Sequence, residues 1–154
     1  MKKYKPYLIS LAITAVIAGI GAAVTYSGME SFRSLDKPPF SPPEILFPLV
    51  WTVLYILMSL AGAKVFLKSG AVFTLPVKLY AAQLIFNLGW SILFFGFGAY
   101  LLSFWWIFAL WLIVLLMIVT FYPVDHTASV SQIPYLIWIS FAAYLNLGIW
   151  YLNR

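Results

Sequence analysis

The sequence predicts an all-α integral membrane protein, a single domain over residues 1–154 built as a bundle of five transmembrane helices. Three observations predict it. Hydrophobic side chains make up 64% of the chain and charged ones only 8%, against roughly half and about a quarter in a soluble domain, so the polar groups are too few to cover a compact body in water. The charges leave four long uncharged runs, Tyr7 to Met29, Ile45 to Ala63, Leu79 to Val124 and Thr127 to Asn153, each near or above the roughly 20 residues a helix needs to cross the hydrocarbon core. These runs are apolar throughout and lack the polar alternation of strands around a wet lumen, which sets a β-barrel aside.

The first helix is predicted over residues 6–27. It follows Lys2, Lys3 and Lys5, like the charged start of a secretory signal, but its apolar run is too long for a signal core and reads as an uncleaved span. A loop over 28–45 comes next, with Pro38, Pro39, Pro42 and Pro43. Proline fixes φ and removes a donor, so the segment is stiff and extended. It is also longer than an ordinary helix connection, which points to a function. It reads as a lid, with a rigid spacer as the alternative. The second helix is predicted over 46–67, with Lys64 snorkelling from its end. The third uncharged run is about twice the length of one crossing and carries Gly96, Gly98 and Ala99 near its middle, which splits it into helices over 77–97 and 101–122. The fifth helix, 132–152, would start after a Ser131 cap with Pro134 in its first turn, where a missing N–H costs little.

Five crossings put the termini on opposite faces. Lys2, Lys3, Lys5, Lys64, Lys68 and Lys78 then share the amino-terminal face, against Arg33, Lys37 and Arg154 on the other, and this bias predicts a cytoplasmic amino terminus. A short chain with no targeting extension fits a bacterial inner (plasma) membrane. The net charge of +5 comes from cations scattered between apolar runs rather than gathered in a patch, so nucleic acid is not expected as a partner.

Much chemistry is set aside by residue type. With no cysteine and one histidine, thiolate chemistry and metal ligation have few ligands to work with, and no metal site is predicted. Glu30, Asp36, Glu44 and Asp125 all fall outside the predicted helices, so no buried acid carries protons across the bilayer. A hydrolase would need a serine beside His126, and Ser129 and Ser131 are near it only in sequence, with no orienting acid.

The chain is rich instead in aromatic rings, with 7 Trp, 10 Tyr and 13 Phe. Interface positions account for Tyr4, Tyr7, Tyr100, Trp150 and Tyr151. Trp51, Trp90 and Trp138 lie deeper, where an indole N–H needs an acceptor. Helical spacing puts Trp51 and Tyr55 on one face, Gln83, Asn87, Trp90, Ser91 and Phe94 on a second, and Trp138, Ala142 and Asn146 on a third. Counting about 1.5 Å per residue, these residues fit one cavity in the half of the bilayer beneath the lid. Hydrogen bonding between helices explains the polar members equally well. Small residues at Ala15, Gly19 and Ala23, and at Ala82, Gly89 and Gly96, allow close helix approach, either inside the bundle or to a second copy.

The segment Leu35-Asp36-Lys37-Pro38-Pro39-Phe40-Ser41-Pro42-Pro43, followed by Val50-Trp51-Thr52-Val53-Leu54-Tyr55, resembles the translocator protein family, also called tryptophan-rich sensory proteins or peripheral benzodiazepine receptors. Gln83-Leu84 with Asn87 and Trp90, Pro134-Tyr135 with Trp138, Phe141-Ala142 and Leu145-Asn146 extend the resemblance in order across the five helices. It implies a five-helix bundle, commonly dimeric, with a pocket beneath the first loop for porphyrins, sterols and benzodiazepine-site drugs. By motif, Trp51, Asn87, Trp90, Trp138 and Ala142 would line the pocket and Pro42 and Pro43 its lid, with Tyr55 and Phe32 completing the candidate set. The chain departs from the family at Ser31-Phe32, where Trp-Tyr is common, and at Phe40, where Trp is. Leu147, Tyr151 and Arg154 satisfy the loose pattern of a sterol motif.

The expectation is a receptor for a metal-free porphyrin such as protoporphyrin IX, bound as ligand or substrate without a resident cofactor. The resemblance further implies light-dependent porphyrin degradation, for which Trp51 and Trp138 are the oxidisable candidates. The alternative is a transporter or stress regulator of tetrapyrroles, lipids or sterols with no chemistry of its own.

Overall fold

A computed structural model describes residues 4–70 and 73–154. Among these residues, five helices are long and apolar enough to cross a membrane. They are α1 (Lys5–Arg33), α2 (Leu46–Ser69), α3 (Leu75–Ser91), α4 (Tyr100–Phe121) and, after the single-turn α5 (His126–Val130), α6 (Ile133–Leu152). Helix α3 continues as a π-helical turn, Ile92–Gly96, in which the Phe97 N–H reaches the Ile92 carbonyl at 3.0 Å. Gly70 closes α2 with φ of +68°, and Gly98 at +61° makes the corner into α4, both conformations open to glycine without steric cost.

Helix α4 lies at the centre, against α3 on one side and α6 on the other, while α1 packs on α2 and the π turn. Its Ile107, Leu110, Val114, Met117 and Phe121 are fully buried, and the opposite side, with Trp105, Leu112, Leu116 and Val119, is exposed. Helix α1 is exposed along Leu8, Leu11, Val16 and Ile20. Apolar surface on this scale would drive aggregation in water and is what hydrocarbon requires.

Most helix ends move by one or two residues from the sequence reading, and three differences are larger or change a cap. Helix α1 runs six residues past Ser27 to Arg33, so Gly28 and Phe32 are helical rather than part of the lid, which shrinks to 34–45. Gly28 is there for close approach: a Cβ on it would stand 2.9 Å from the Phe95 carbonyl carbon and closer still to the oxygen. The third helix is not α-helical to 97 but gives way to the π turn, which places both Phe94 and Phe95 against Phe32. Ser131 does not cap the last helix. It ends α5, donating to the Ala128 carbonyl at 2.8 Å, and Gln132 precedes α6 without a side-chain cap. Pro134 does sit in the first turn.

The amino-terminal face is held by charge. Asp125 caps α5 through the Ala128 N–H at 2.7 Å and accepts from the Thr127 hydroxyl at 2.6 Å, and Lys68 closes an ion pair at 2.7 Å. Lys64, expected to snorkel, reaches the Thr127 hydroxyl at 3.3 Å. The Lys68 bond first, then Thr127 and the Ala128 amide, hold the Asp125 carboxyl well below the ordinary carboxylate range. A depressed folded value means stability that is complete above the unfolded value, about pH 4, and is lost as pH falls toward the folded one. Thermal unfolding between pH 3 and 7 should show the wild type losing stability at the acid end, and Asp125→Asn should flatten that slope.

Candidate functional site: an aromatic cleft beneath the lid

The lid is bound to the carboxyl-terminal helix. Asp36 and Asn153 exchange bonds of 3.0 and 2.9 Å between the backbone of one and the amide of the other. The Tyr144 hydroxyl donates to the Pro39 carbonyl at 2.9 Å. Pro38 fills the space over Gly148, where a Cβ would come within 2.7 Å of the proline ring. At its other end Arg33 grips the Glu44 carboxylate with bonds of 2.9 to 3.2 Å, which holds that carboxyl below its ordinary range. Except at Gly148, these ties lie at exposed groups.

Beneath the lid runs a cleft lined by Phe32, Pro42, Phe47, Trp90, Phe94, Phe95 and Ala142, with Lys37 at its mouth. Its free volume is about 30 Å³, the space of about one water molecule, because its own rings fill it. Phe32 meets Phe47, Phe94 and Phe95 at centroid distances of 6.3, 6.1 and 5.6 Å. Trp90 stacks on Phe94 at 5.5 Å and lies 6.3 Å from Trp51, while Phe47 packs edge-on against Trp138 at 5.9 Å. The hollow between the second, third and fifth crossings that the sequence suggested is thus a closed seam of aromatic rings.

The predicted residues divide accordingly. Phe32, Pro42, Trp90 and Ala142 line the cleft. Trp51 lies behind Trp90, its ring against Tyr55 and Tyr135, and Trp138 lies behind Phe47 and beside Phe141. Pro43 is exposed. Tyr55 and Asn87 sit in a separate polar network: the Tyr55 hydroxyl donates to Asn87 Oδ1 at 2.6 Å, Asn87 Nδ2 to the Tyr135 hydroxyl at 3.0 Å, and that hydroxyl to Gln83 Oε1 at 3.0 Å. For these amides the bonding between helices weighed from spacing is what the structure has. Asn146 does likewise, accepting from Trp90 Nε1 and the Ser103 hydroxyl, both at 3.0 Å, and donating to the Tyr100 carbonyl at 2.7 Å.

Of the three deep indoles, Trp90 is therefore satisfied by Asn146, whereas the Trp138 N–H is buried with no acceptor. Phe47 was missed as a site residue, although it lies one turn before Trp51 on the same face of α2. The Lys37 ammonium, at the mouth of the cleft, lies 4.8 Å from the Phe32 ring. Leu147 and Tyr151 are exposed on α6, and the Arg154 guanidinium lies 4.1 Å over the Tyr151 ring. Ala15, Gly19 and Ala23 are exposed on α1, with open space around Gly19. Gly89 instead admits Trp106 within the bundle, the indole nitrogen 2.8 Å from where a Cβ would be.

Comparison with known proteins places these helices and this lid in one lineage. Residues 9–152 match the TspO/MBR family. The chain is 44% identical to a tryptophan-rich protein of Chlorobaculum tepidum over 79% of its length and 78% of that protein. It is 38% identical to the tryptophan-rich sensory protein of Cereibacter sphaeroides, covering 89% and 88% of the two chains. Against the translocator protein of Bos taurus the identity is 30%, over 88% and 82%. The chain is an integral membrane protein and belongs to the TspO/MBR family.

Proposed function

We propose that the protein is a membrane receptor for porphyrins such as protoporphyrin IX, able to degrade the bound pigment in light. The observation that carries this is the buried Trp138 N–H without an acceptor, set in an aromatic seam that a tied lid covers. An unmet donor in an apolar surrounding is costly, and a ligand acceptor reaching it would recover that cost. Stacked rings offer a flat macrocycle the π-faces it prefers, and Lys37 at the mouth suits a propionate. Since the cleft holds about 30 Å³ and ligand sites hold roughly 300 Å³ or more, binding requires the lid to lift and the rings to part.

The reading is tested by titrating purified protein with protoporphyrin IX in darkness and then under illumination. Saturable quenching of tryptophan fluorescence followed by pigment loss only in light is expected; linear, non-saturating quenching would remove the receptor reading. Because hydrogen bonds to Asn153 and Tyr144 hold the lid, the pair Tyr144→Phe and Asn153→Ala should raise the dark association rate by roughly tenfold, as loss of about 1 kcal/mol or more from the closed state implies. Stopped-flow quenching measures it, and an unchanged rate would mean that the lid does not limit access.

The same proposal includes a cytoplasmic amino terminus in a bacterial plasma membrane, and pairing of two copies through the open Ala15, Gly19 and Ala23 face. Sterols or other lipids at Leu147, Tyr151 and Arg154, and benzodiazepine-site drugs in the cleft, are further ligands it admits. A carrier or stress regulator without photochemistry would instead move porphyrin into sealed vesicles in darkness.

A further inference from the structure

A hollow far roomier than the cleft lies away from the lid. A groove of about 470 Å³ opens at the opposite end of the bundle, between the start of α1, the end of α2 and the start of α3. Its walls are Ile9 and Ile13 from α1, Phe66 from α2, and Ala81 and Leu84 from α3. Its depth comes from small residues and one pinned ring. Tyr80 lies flat on Gly62, where a Cβ would stand within 2.7 Å of the ring carbons, and the Tyr80 hydroxyl is fixed to Ser10 and Thr14 at 3.0 Å each. Ser10 in turn reaches the Ser59 carbonyl at 2.8 Å, and Thr14 the Ser10 carbonyl at 2.8 Å.

The hydroxyls therefore satisfy one another and offer the groove nothing unpaired. Such a surface holds hydrocarbon without penalty and gives water no reason to stay. Among the described residues, the one charged residue on its lining is cationic, Lys5, at the start of α1. Lys64, Lys68 and Lys78 stand on the same face of the bundle, where the acid Asp125 is already taken by Lys68.

We propose that this groove is a binding site for an anionic phospholipid, one acyl chain lying along Ile9, Ile13, Ala81 and Leu84 and the phosphate at Lys5. The size lies within the range of specific small-molecule sites, and the walls match a chain already present in the surrounding leaflet. Charge selects the headgroup: a phosphate at Lys5 is paired with a cation near the membrane surface, whereas a zwitterionic lipid brings its own cation to the same place. The site is separate from the aromatic cleft and does not depend on porphyrin binding.

The test uses the full chain in vesicles containing phosphatidylglycerol or phosphatidylcholine with a photoreactive diazirine on the acyl chain. Mass spectrometry then maps the labelled peptides. Labelling concentrated on the α1 and α3 segments around Ile9, Ile13 and Ala81 is expected, stronger for phosphatidylglycerol by roughly fivefold, the preference one surface lysine supports. Lys5→Gln should remove that preference while leaving the labelled positions unchanged. Ala81→Phe, which fills the groove, should abolish labelling there for both lipids, with the circular dichroism and elution volume of the wild type as the check on folding. Labelling spread evenly over the exposed helix faces, equal labelling by the two lipids, or full labelling of a folded Ala81→Phe variant would overturn the proposal. If Ala81→Phe does not fold, the Lys5→Gln comparison decides alone.

Discussion

Replacing Trp51 and Trp138 together by phenylalanine is expected to leave the fold and much of the dark affinity for protoporphyrin IX in place and to end its breakdown in light. Phenylalanine keeps a ring at each position, so stacking on Tyr55, Tyr135 and Phe47 is retained in part, and loss of the Trp138 N–H contact proposed for the ligand should weaken the affinity by about fivefold, near 1 kcal/mol. Trp138→Phe removes a donor that has no partner in the protein, so nothing is left unpaired. Trp51→Phe leaves a void beside Trp90, expected to cost about 1 to 2 kcal/mol. What the pair removes is the electron-rich indole. An excited porphyrin, or the reactive oxygen it makes from dioxygen, then has no oxidisable side chain at those two places. Absorbance decay at saturating pigment should slow to that of porphyrin in empty detergent micelles. Decay at the wild-type rate would take both indoles out of the chemistry while leaving the binding reading intact.

The second large effect concerns folding. Gly28→Ala is expected to destabilise the protein by about 3 kcal/mol, the upper part of the range for overpacking, because the atom that a new Cβ would strike is the Phe95 backbone carbonyl and no side chain can swing away. For a chain of this size the melting temperature should fall by roughly 10 °C. Gly19→Ala on the same helix is the control. Nothing lies within 4 Å of its Cβ position, so alanine there should be neutral or add up to about 1 kcal/mol of helix stability. Equal shifts for the two variants would mean that α1 does not approach the π turn as described.

These cases show how far the sequence could be read. Spans are legible because a charge in hydrocarbon is costly, so the runs between charges measure the crossings directly; all five exist, with ends moved by a few residues. The predicted face of α3 is correct at every position, since Gln83, Asn87, Trp90, Ser91 and Phe94 are all buried. Period alone decides that. The end of α1 was misplaced because the close approach that Gly28 allows is to Phe95, a residue far along the chain. The partners of Trp90 and Asn87 depend on how helices turn toward one another, which no single helix encodes. The closed state of the cleft is a matter of side-chain volume across four helices, and family resemblance suggests a pocket without saying whether it stands open.

The five-residue π turn carries one more consequence. A turn of this kind holds an extra residue relative to regular α geometry, so the chain length of the third crossing is not a free variable. Deleting Leu93 would let the ladder relax to ordinary pitch with the residues after it still in phase, and since consecutive residues of an α-helix point about 100° apart, only one of the two phenylalanines could stay against Phe32. An indel of one residue there would therefore do more to the wall of the aromatic cleft than most substitutions within it, although the deletion leaves the hydropathy profile almost untouched.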